Sequence, residues 1–492
     1  MSQPSLTFSE TDGALGVLPA GAKPLAIIGP AATGTANTPA AYARKQDVIT
    51  LGTRGPAVEA ACKHIGERNR PIVLTLTGAT VDGTYPAGST TVQTGTGTSV
   101  ITVDDVGTAP DDDYEVYLLV VTGGTIGVAG ITFQYSLDGG RTMSPPVALG
   151  VDTEYVIPGT GGVEIEFAAG TLVAGDTCSF WCVAPCWNTA ELTAALTALQ
   201  NYAGAWEQLW IVGNLDAAAI DAVETAFTAM MAAGKERSWM GNVRMPTSGE
   251  SEANYATAVD AIVSAKTTTH GSVIGGACEF PSGVDGKLLR RPFAWEVASL
   301  HGVLSEEEDA ANPTDRFKLN CTIADTLGNP KHHDESVNPT LDDLRVTCAR
   351  TWEDFPGVYT NRPRLLSSPS SDYQLIPHRR VMNLAKTALR AFMARRLSKP
   401  VAVDLTTGYI LEIEALEIEA GAHKAVSAVL DTKPKASGGG FTGGQYVQIS
   451  RTDDLLSTRT MTGTLRVVPL AYPEYIEIGA EFYNPAMQLV TT

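Results

Sequence analysis

Long apolar runs are missing from this chain of 492 residues. The longest, such as 116–121 (VYLLVV), fall far short of the roughly 20 residues that cross a bilayer, so no membrane insertion is expected. No Gly-Lys-Ser/Thr phosphate loop occurs. The turn 29–34 (GPAATG) follows a strand-like run, where a dinucleotide fold would carry its glycines, but it lacks the G-x-G core. Nucleotide binding is therefore not expected. A Gly-x-Ser-x-Gly elbow is also missing, the spacing in 270–275 (HGSVIG) being wrong for a serine nucleophile. Seven cysteines form no regular framework and suit reduced thiols. Cys178, Cys182 and Cys186 make a C-x3-C-x3-C run in an apolar, strand-like segment with no histidine nearby. They read as buried thiols rather than zinc ligands. The N-terminus MSQPSLTFSETDG has neither a basic head nor an apolar core. No signal peptide is expected, and the chain should stay in the cytoplasm where it is made unless lysis releases it. No catalytic residue, cofactor or metal is expected.

Charge of one sign is missing in two places. No acid lies between Asp372 and Asp404, while 378–399 (HRRVMNLAKTALRAFMARRLSK) carries Arg379, Arg380, Lys386, Arg390, Arg395, Arg396 and Lys399. Val381, Leu384, Ala385, Ala388, Leu389 and Phe392 recur at steps of three and four, the pattern of an amphipathic helix. The whole chain carries −19, so its remainder stands at −26. Such a helix is either a core helix with a solvated basic face or a docking face for an acidic protein surface. Nucleic acid or a membrane surface would come with a wider basic patch. The reverse holds over 78–185, where 13 acids face the single base Arg141 and 18 of the 48 glycines gather. Runs such as YEVYLLVV and ITFQYS alternate there with Gly, Asp and Pro turns, predicting a small all-β domain.

Around that segment, strands alternate with helices. Residues 25–28 and 72–76 read as strands, with a helix between them starting at Gly55-Pro56 and running to about Gly66. After the acidic segment, Asn188 and Glu191 form a capping-box pattern ahead of Leu192, Leu196 and Leu199. Strands at 209–212, 239–245 and from 272 alternate with helices over 216–233 and 251–266. This predicts an α/β fold with a mostly parallel sheet, interrupted by an all-β insertion. Residues 280–375 are loop-rich, 407–430 are helix or strand, and 436–440 (ASGGG) read as a flexible linker. Further β-runs fall at 445–451, 463–468 and 474–483. In the last, Ile476, Ile478, Ala480 and Phe482 alternate with Glu477 and Glu481. Leu6 and Phe8 alternate likewise in a polar N-terminal arm. The expected divisions are 1–24, 25–77, 78–186, 187–370, 371–473 and 474–492.

Three small clusters have plain explanations. His332-His333-Asp334 reads as a solvated loop. Asp111-Asp112-Asp113 lacks EF-hand spacing. Ser136 to Gly140 (SLDGG) resembles a sialidase Asp-box, but Met143 stands where its Trp belongs, and a hairpin turn suffices.

Several segments together resemble the sheath proteins of contractile phage tails, close to the Mu-like type. They are Pro24-Leu-Ala-Ile-Ile-Gly29 with Gly34 and Asn37-Thr-Pro39, and Cys348-Ala-Arg-Thr351 with Trp352. Tyr373 to Arg380, entering the basic helix, is a third; Leu465-Arg-Val-Val-Pro469 with Tyr472, the 474–482 run and Asn484-Pro485 complete the set. The first turn and the acidic insertion depart from the family. The resemblance implies an α/β (α+β overall) fold: a mixed-sheet sheath core, an inserted all-β domain and extended N- and C-terminal arms. It implies a non-enzymatic subunit that polymerises with itself in six-fold, helically stacked rings around an inner tail tube protein. Baseplate and tail terminator proteins would be further partners, with no nucleic acid involved. The location would be the virion tail, assembled in the host cytoplasm. Arg379 to Lys399 would face the tube, and Leu6, Phe8, Ile476, Ile478, Ala480 and Phe482 would exchange strands between subunits. The alternative is a protein that binds or hydrolyses envelope glycan through its β-rich insertion.

Overall fold

The run Leu25–Gly29 lies inside a six-stranded sheet, with Gln208–Asn214 and Ile72–Leu76 parallel to it on either side. Ser238–Asn242 and Gly271–Ile274 continue the sheet in parallel, and Ala40–Tyr42 closes the other side antiparallel. The sheet is thus mixed, in an α/β fold. The computed structural model describes residues 24–85, 92–104, 109–247, 250–323, 332–473 and 478.

Helices α1 (Lys45–Gly52), α2 (Pro56–Arg68), α3 (Thr189–Asn201), α4 (Ala217–Ala232), α5 (Glu252–Val263) and α6 (Ala294–His301) cover the sheet. Alternate residues of one strand feed two cores, because successive side chains point to opposite faces. Leu25 and Ile27 join Val58 and Ile65 of α2 and Trp295 of α6. Ala26 and Ile28 join Leu196 of α3, Phe227 of α4 and Val259 of α5. Burial on both faces is why these strands read as continuous apolar runs. Gly55, at φ 107°, turns the chain into Pro56 at the start of α2. A Cβ there would lie 2.9 Å from Ala31 Cα. The capping box forms as read: Glu191 N donates to Asn188 Oδ1 and Asn188 N to Glu191 Oε2, each at 2.9 Å.

Between Ile72–Leu76 and α3, the acidic segment builds its own antiparallel sheets. Tyr114–Thr122 lies between Thr177–Cys182 and Thr132–Ser136, while Glu164–Phe167 lies between Glu154–Val156 and Ile101–Asp104. Val116, Leu118, Phe133 and Phe180 from the first sheet share one core with Ile101, Ile165 and Phe167 from the second. Cys178 and Cys182 alternate with Ser179 and Trp181 and are buried in that core, as expected; Cys186 is half-buried beyond the strand. The Asp138 turn joins Thr132–Ser136 to Val147–Ala148, so it is a hairpin connection, but one built by side chains. Ser136 Oγ donates to Asp138 Oδ1 at 2.5 Å, and Thr142 N donates to the same oxygen at 2.8 Å.

Buried charges join this segment to the sheet-bearing body. Arg291, on Leu288–Pro292, donates from Nε to Glu59 Oε2 of α2 at 2.7 Å and from Nη1 to Asp113 O at 2.9 Å. Its Nη2 lies 3.4 Å from Asp112 Oδ1. Arg141, the one base of the segment, reaches Glu279 at 2.7 Å.

The chain divides into two compact units, 1–387 and 388–492. Helix α7 (Ile376–Ala394) runs across that division. In the second unit, α8 (Glu412–Leu430) settles the helix-or-strand alternative for most of 407–430 in favour of helix. It buries Ala415, Ile418, Ala422, Val426 and Leu430 at steps of three and four. The expected flexible linker is overturned. Ala436–Gly439 is a strand paired antiparallel with Val467–Pro469. Its glycines serve close approach, since a Cβ on Gly439 would lie 2.2 Å from the carbonyl of Gln445.

Candidate interaction surface

Helix α7 forms where the apolar stripe and the lack of acids predicted it, but its basic residues split into two groups. Arg379 is 2% exposed, lies 3.7 Å from Glu236 and covers the Tyr373 ring at 5.1 Å. Arg380 is also buried, donating to the carbonyls of Ser305 at 3.0 Å and Leu304 at 2.9 Å, with Glu207 at 3.7 Å. Lys386 shares Glu236 at 3.7 Å. Arg379 and Arg380 are therefore corrected: they are interior groups, not part of an outward basic face. The Leu304 and Ser305 carbonyls, beyond the end of α6, accept from Arg380, whereas Arg379 is held by the charge of Glu236 and turns its Nη2 to Met231 Sδ at 2.8 Å. The helix also stops earlier than read. Arg395, Arg396 and Lys399 follow its end at Ala394 in a turn where Ser398 adopts φ 61° ahead of Pro400. Arg396 pairs with Glu417 at 3.0 Å. Arg390, Arg395 and Lys399 are exposed.

The second unit carries two ribbons of two strands each: Ala436–Gly439 with Val467–Pro469, and Val447–Ile449 with Gly463–Leu465. Arg451 ties the second ribbon to α8, donating to Glu412 at 2.7 Å and to Glu419 at 2.6 Å. Ile449 N also donates to Glu419 at 2.7 Å. Among the described residues, Gly463–Leu465 pairs with no other strand, so its far edge is open. Beside it lies a cavity of about 210 Å³ lined by Leu389, Met393, Val447, Ile449, Met461 and Gly463. On α8, Gly421 lets Phe392 of α7 approach, since a Cβ there would lie 2.5 Å from the ring. Large apolar side chains are exposed on this unit, among them Leu405 at 95% and Ile413 at 75%. An open strand edge next to an apolar groove can take a further extended strand. Its main chain would pair with the edge and alternate side chains would enter the groove.

Residues 3–300, more than half of the sequence, match the family model described as DUF2586, N-terminal domain. The chain belongs to the DUF2586 family. No curated protein matches it. Solved structures that this DUF2586 chain resembles are sheath proteins and baseplate assemblies of contractile injection systems. The anti-feeding prophage baseplate in its contracted state aligns at TM-score 0.48 and 12% identity, with 98% of each chain covered. The anti-feeding prophage helical sheath in its contracted state aligns at 0.47 and 12%, covering 98% of this chain and 99% of that one. A sheath tail protein from Listeria innocua aligns at 0.45 and 11%, covering 92% and 96%.

Of the expected strand-exchange residues of the DUF2586 chain, Ile478 is 83% exposed. Leu6, Phe8, Ile476, Ala480 and Phe482 lie outside the described residues. The Cys348-Ala-Arg-Thr segment runs into the strand Ala349–Thr351, with Arg350 stacked 3.9 Å from the Trp352 ring centre. The aspartates at 111–113 are committed to structure: Asp111 accepts from Tyr114 Oη at 2.5 Å, Asp112 faces Arg291, and Asp113 accepts from Ala184 N at 2.7 Å. The glycan-hydrolase alternative gains no support from them.

Reading His332-His333-Asp334 as a solvated loop was wrong. His333 is fully buried, with Nδ1 2.9 Å from Glu252 and Nε2 2.8 Å from Glu335. Its partners lie on α5 and two residues along the loop, and no spacing rule links Glu252 to residue 333. Glu236 and Glu207, the partners of Arg379 and Arg380, are equally remote in sequence.

Proposed function

We propose that this chain is the structural sheath subunit of a contractile tail or a related injection particle. Copies polymerise as helically stacked six-fold rings around an inner tube and contract to drive that tube through a cell envelope. The observation that carries this reading is the open Gly463–Leu465 edge beside the apolar groove of the second unit. An isolated two-stranded ribbon is marginal in water, and a third strand supplies both hydrogen bonds and apolar cover. The sequence itself offers segments with the required alternation: Leu6 and Phe8 near one end, and Ile476, Ile478, Ala480 and Phe482 near the other. A segment of one copy seated on the ribbon of the next is a heterologous contact, which generates an open helical array when the rotation does not close. The sequence resemblance to sheath proteins points the same way.

Arg390, Arg395 and Lys399 form the part of the basic stretch that can meet an acidic tube. Each such pair contributes little alone, which suits a contact that must form on assembly and release on contraction. Energy is stored in the assembled array, so the reading requires no nucleotide, cofactor or catalytic group. Baseplate and terminator proteins would cap the two ends of the array, the tail of the virion would be its location, and the acidic insertion would lie on its outside.

Negative-stain microscopy of the purified chain, with size-exclusion chromatography alongside, tests the reading. Tubes or stacked rings that vanish on deletion of residues 1–20 or 474–492 are expected. A chain that stays monomeric at high concentration, and also when its tube protein is added, refutes it.

A further inference from the structure

We propose that His333, Glu335 and Cys348 form a buried site for a thiophilic divalent cation, zinc in the first instance. One ligand atom from each lies within 4.8 Å of the others. Nε2 of His333 is 2.8 Å from Glu335 Oε2, and Cys348 Sγ is 3.3 Å from the same oxygen. Imidazole, thiol and carboxylate together make a donor set for zinc or cobalt rather than for calcium or magnesium, which take oxygen alone.

The surroundings are those of a prepared site. Glu252, the first residue of α5, holds Nδ1 of His333 at 2.9 Å. A carboxylate in that position fixes the ring and directs Nε2 at the metal, the usual outer-shell arrangement. Glu335 is held in turn by the amides of Leu341 at 3.2 Å and Asp342 at 3.1 Å. Cys348 is placed by its own amide, which donates to Asn361 Oδ1 at 2.9 Å. His333 and Cys348 have no exposed surface, so the ion would be enclosed as the chain folds.

A proton clamp on His333 would account for the two carboxylates but not for the thiol. Cys348 is buried and directed at an oxygen that already has two other partners, His333 and the Leu341 amide. Around a tetrahedral cation at about 2.0–2.3 Å from each ligand, the Glu335 oxygen would part from Nε2 and from Sγ by a few tenths of an ångström. The fourth position falls to the other Glu335 oxygen or to water. The bound ion would tie the 332–335 loop to Cys348, just before the strand Ala349–Thr351, adding to the bond that Glu335 N donates to Ala349 O at 2.9 Å, and would reach α5 through Glu252.

Cobalt(II) titration of the full-length chain tests the proposal, with zinc content measured after purification and dialysis. One equivalent should bring the intense thiolate-to-cobalt charge-transfer band and the visible bands of tetrahedral cobalt. Cys348→Ser should abolish the charge-transfer band. Glu252→Gln should keep it while weakening affinity by about 10–100-fold. Folded wild-type protein without the band overturns the proposal, and so does a band that Cys348→Ser retains, since another of the seven cysteines would then be the ligand. If Cys348→Ser fails to fold, an affinity unmoved by Glu252→Gln overturns it instead.

Discussion

Arg291→Met tests how the β-rich segment is held. Arg291 is 2% exposed and faces Glu59 and Asp112, themselves 3% and 7% exposed. Methionine keeps much of the side-chain volume but removes the positive charge and every donor. Two carboxylates then remain buried without their counter-charge, and breaking a buried pair from one side costs about 3–5 kcal/mol. At about 1.4 kcal/mol per tenfold, opening of the junction becomes roughly a hundred- to several-thousand-fold more frequent. Hydrogen–deuterium exchange is the suitable assay, because a chain of two compact units need not unfold in one step. Amides of 112–116 and of Ala184, which donates to Asp113, should exchange faster by about that factor, while those of Ile72–Leu76 stay protected. Adding Glu59→Gln should recover part of the loss by removing one of the stranded charges. A change of less than about tenfold in Arg291→Met would refute the reasoning. A double variant no better than the single one would show that Glu59 is not the charge left exposed to the cost.

Three other outcomes follow from packing and charge. Gly271→Ala places a Cβ within 2.0 Å of the buried Trp239 ring, and denaturant titration should show a loss of about 1–3 kcal/mol in the first unit. Arg451→Ala removes the side chain joining Glu412 and Glu419 to the second ribbon. Exchange should then rise in Val447–Ile449 with no change in Leu25–Gly29. His64 and His301 are held down to about 3 by burial, reinforced by Arg68 and Arg380 respectively. Below an unfolded value near 6.5, only the unfolded chain takes up these protons. Stability should therefore be intact above about pH 6.5 and fall as pH drops towards 3, and His301→Leu should flatten part of that slope in urea titrations across pH.

Local pattern made the sheet legible. Leu25–Gly29 and Ile72–Leu76 are apolar because both faces are covered, and Asn188 with Glu191 announces α3 by chemistry confined to four residues. The basic helix shows where such reading stops. Periodicity located α7, but whether Arg379 faces solvent depends on Glu236, more than a hundred residues earlier. Composition misled at Ala436–Gly439: the segment is a strand paired with Val467–Pro469, and Gly439 sits where the Gln445 carbonyl leaves no room for a side chain. The same limit hid the buried cluster around His333, whose partners Glu252 and Cys348 come from other elements.

In the proposed array, copies join at the Gly463–Leu465 edge. Hydrogen exchange of that strand, compared between assembled particles and unassembled chain, tests it most directly. Strong new protection at residues 463–465 on assembly, lost in chains lacking 1–20 or 474–492, is the predicted result. Particles that assemble while this edge exchanges as fast as in the free chain would contradict it.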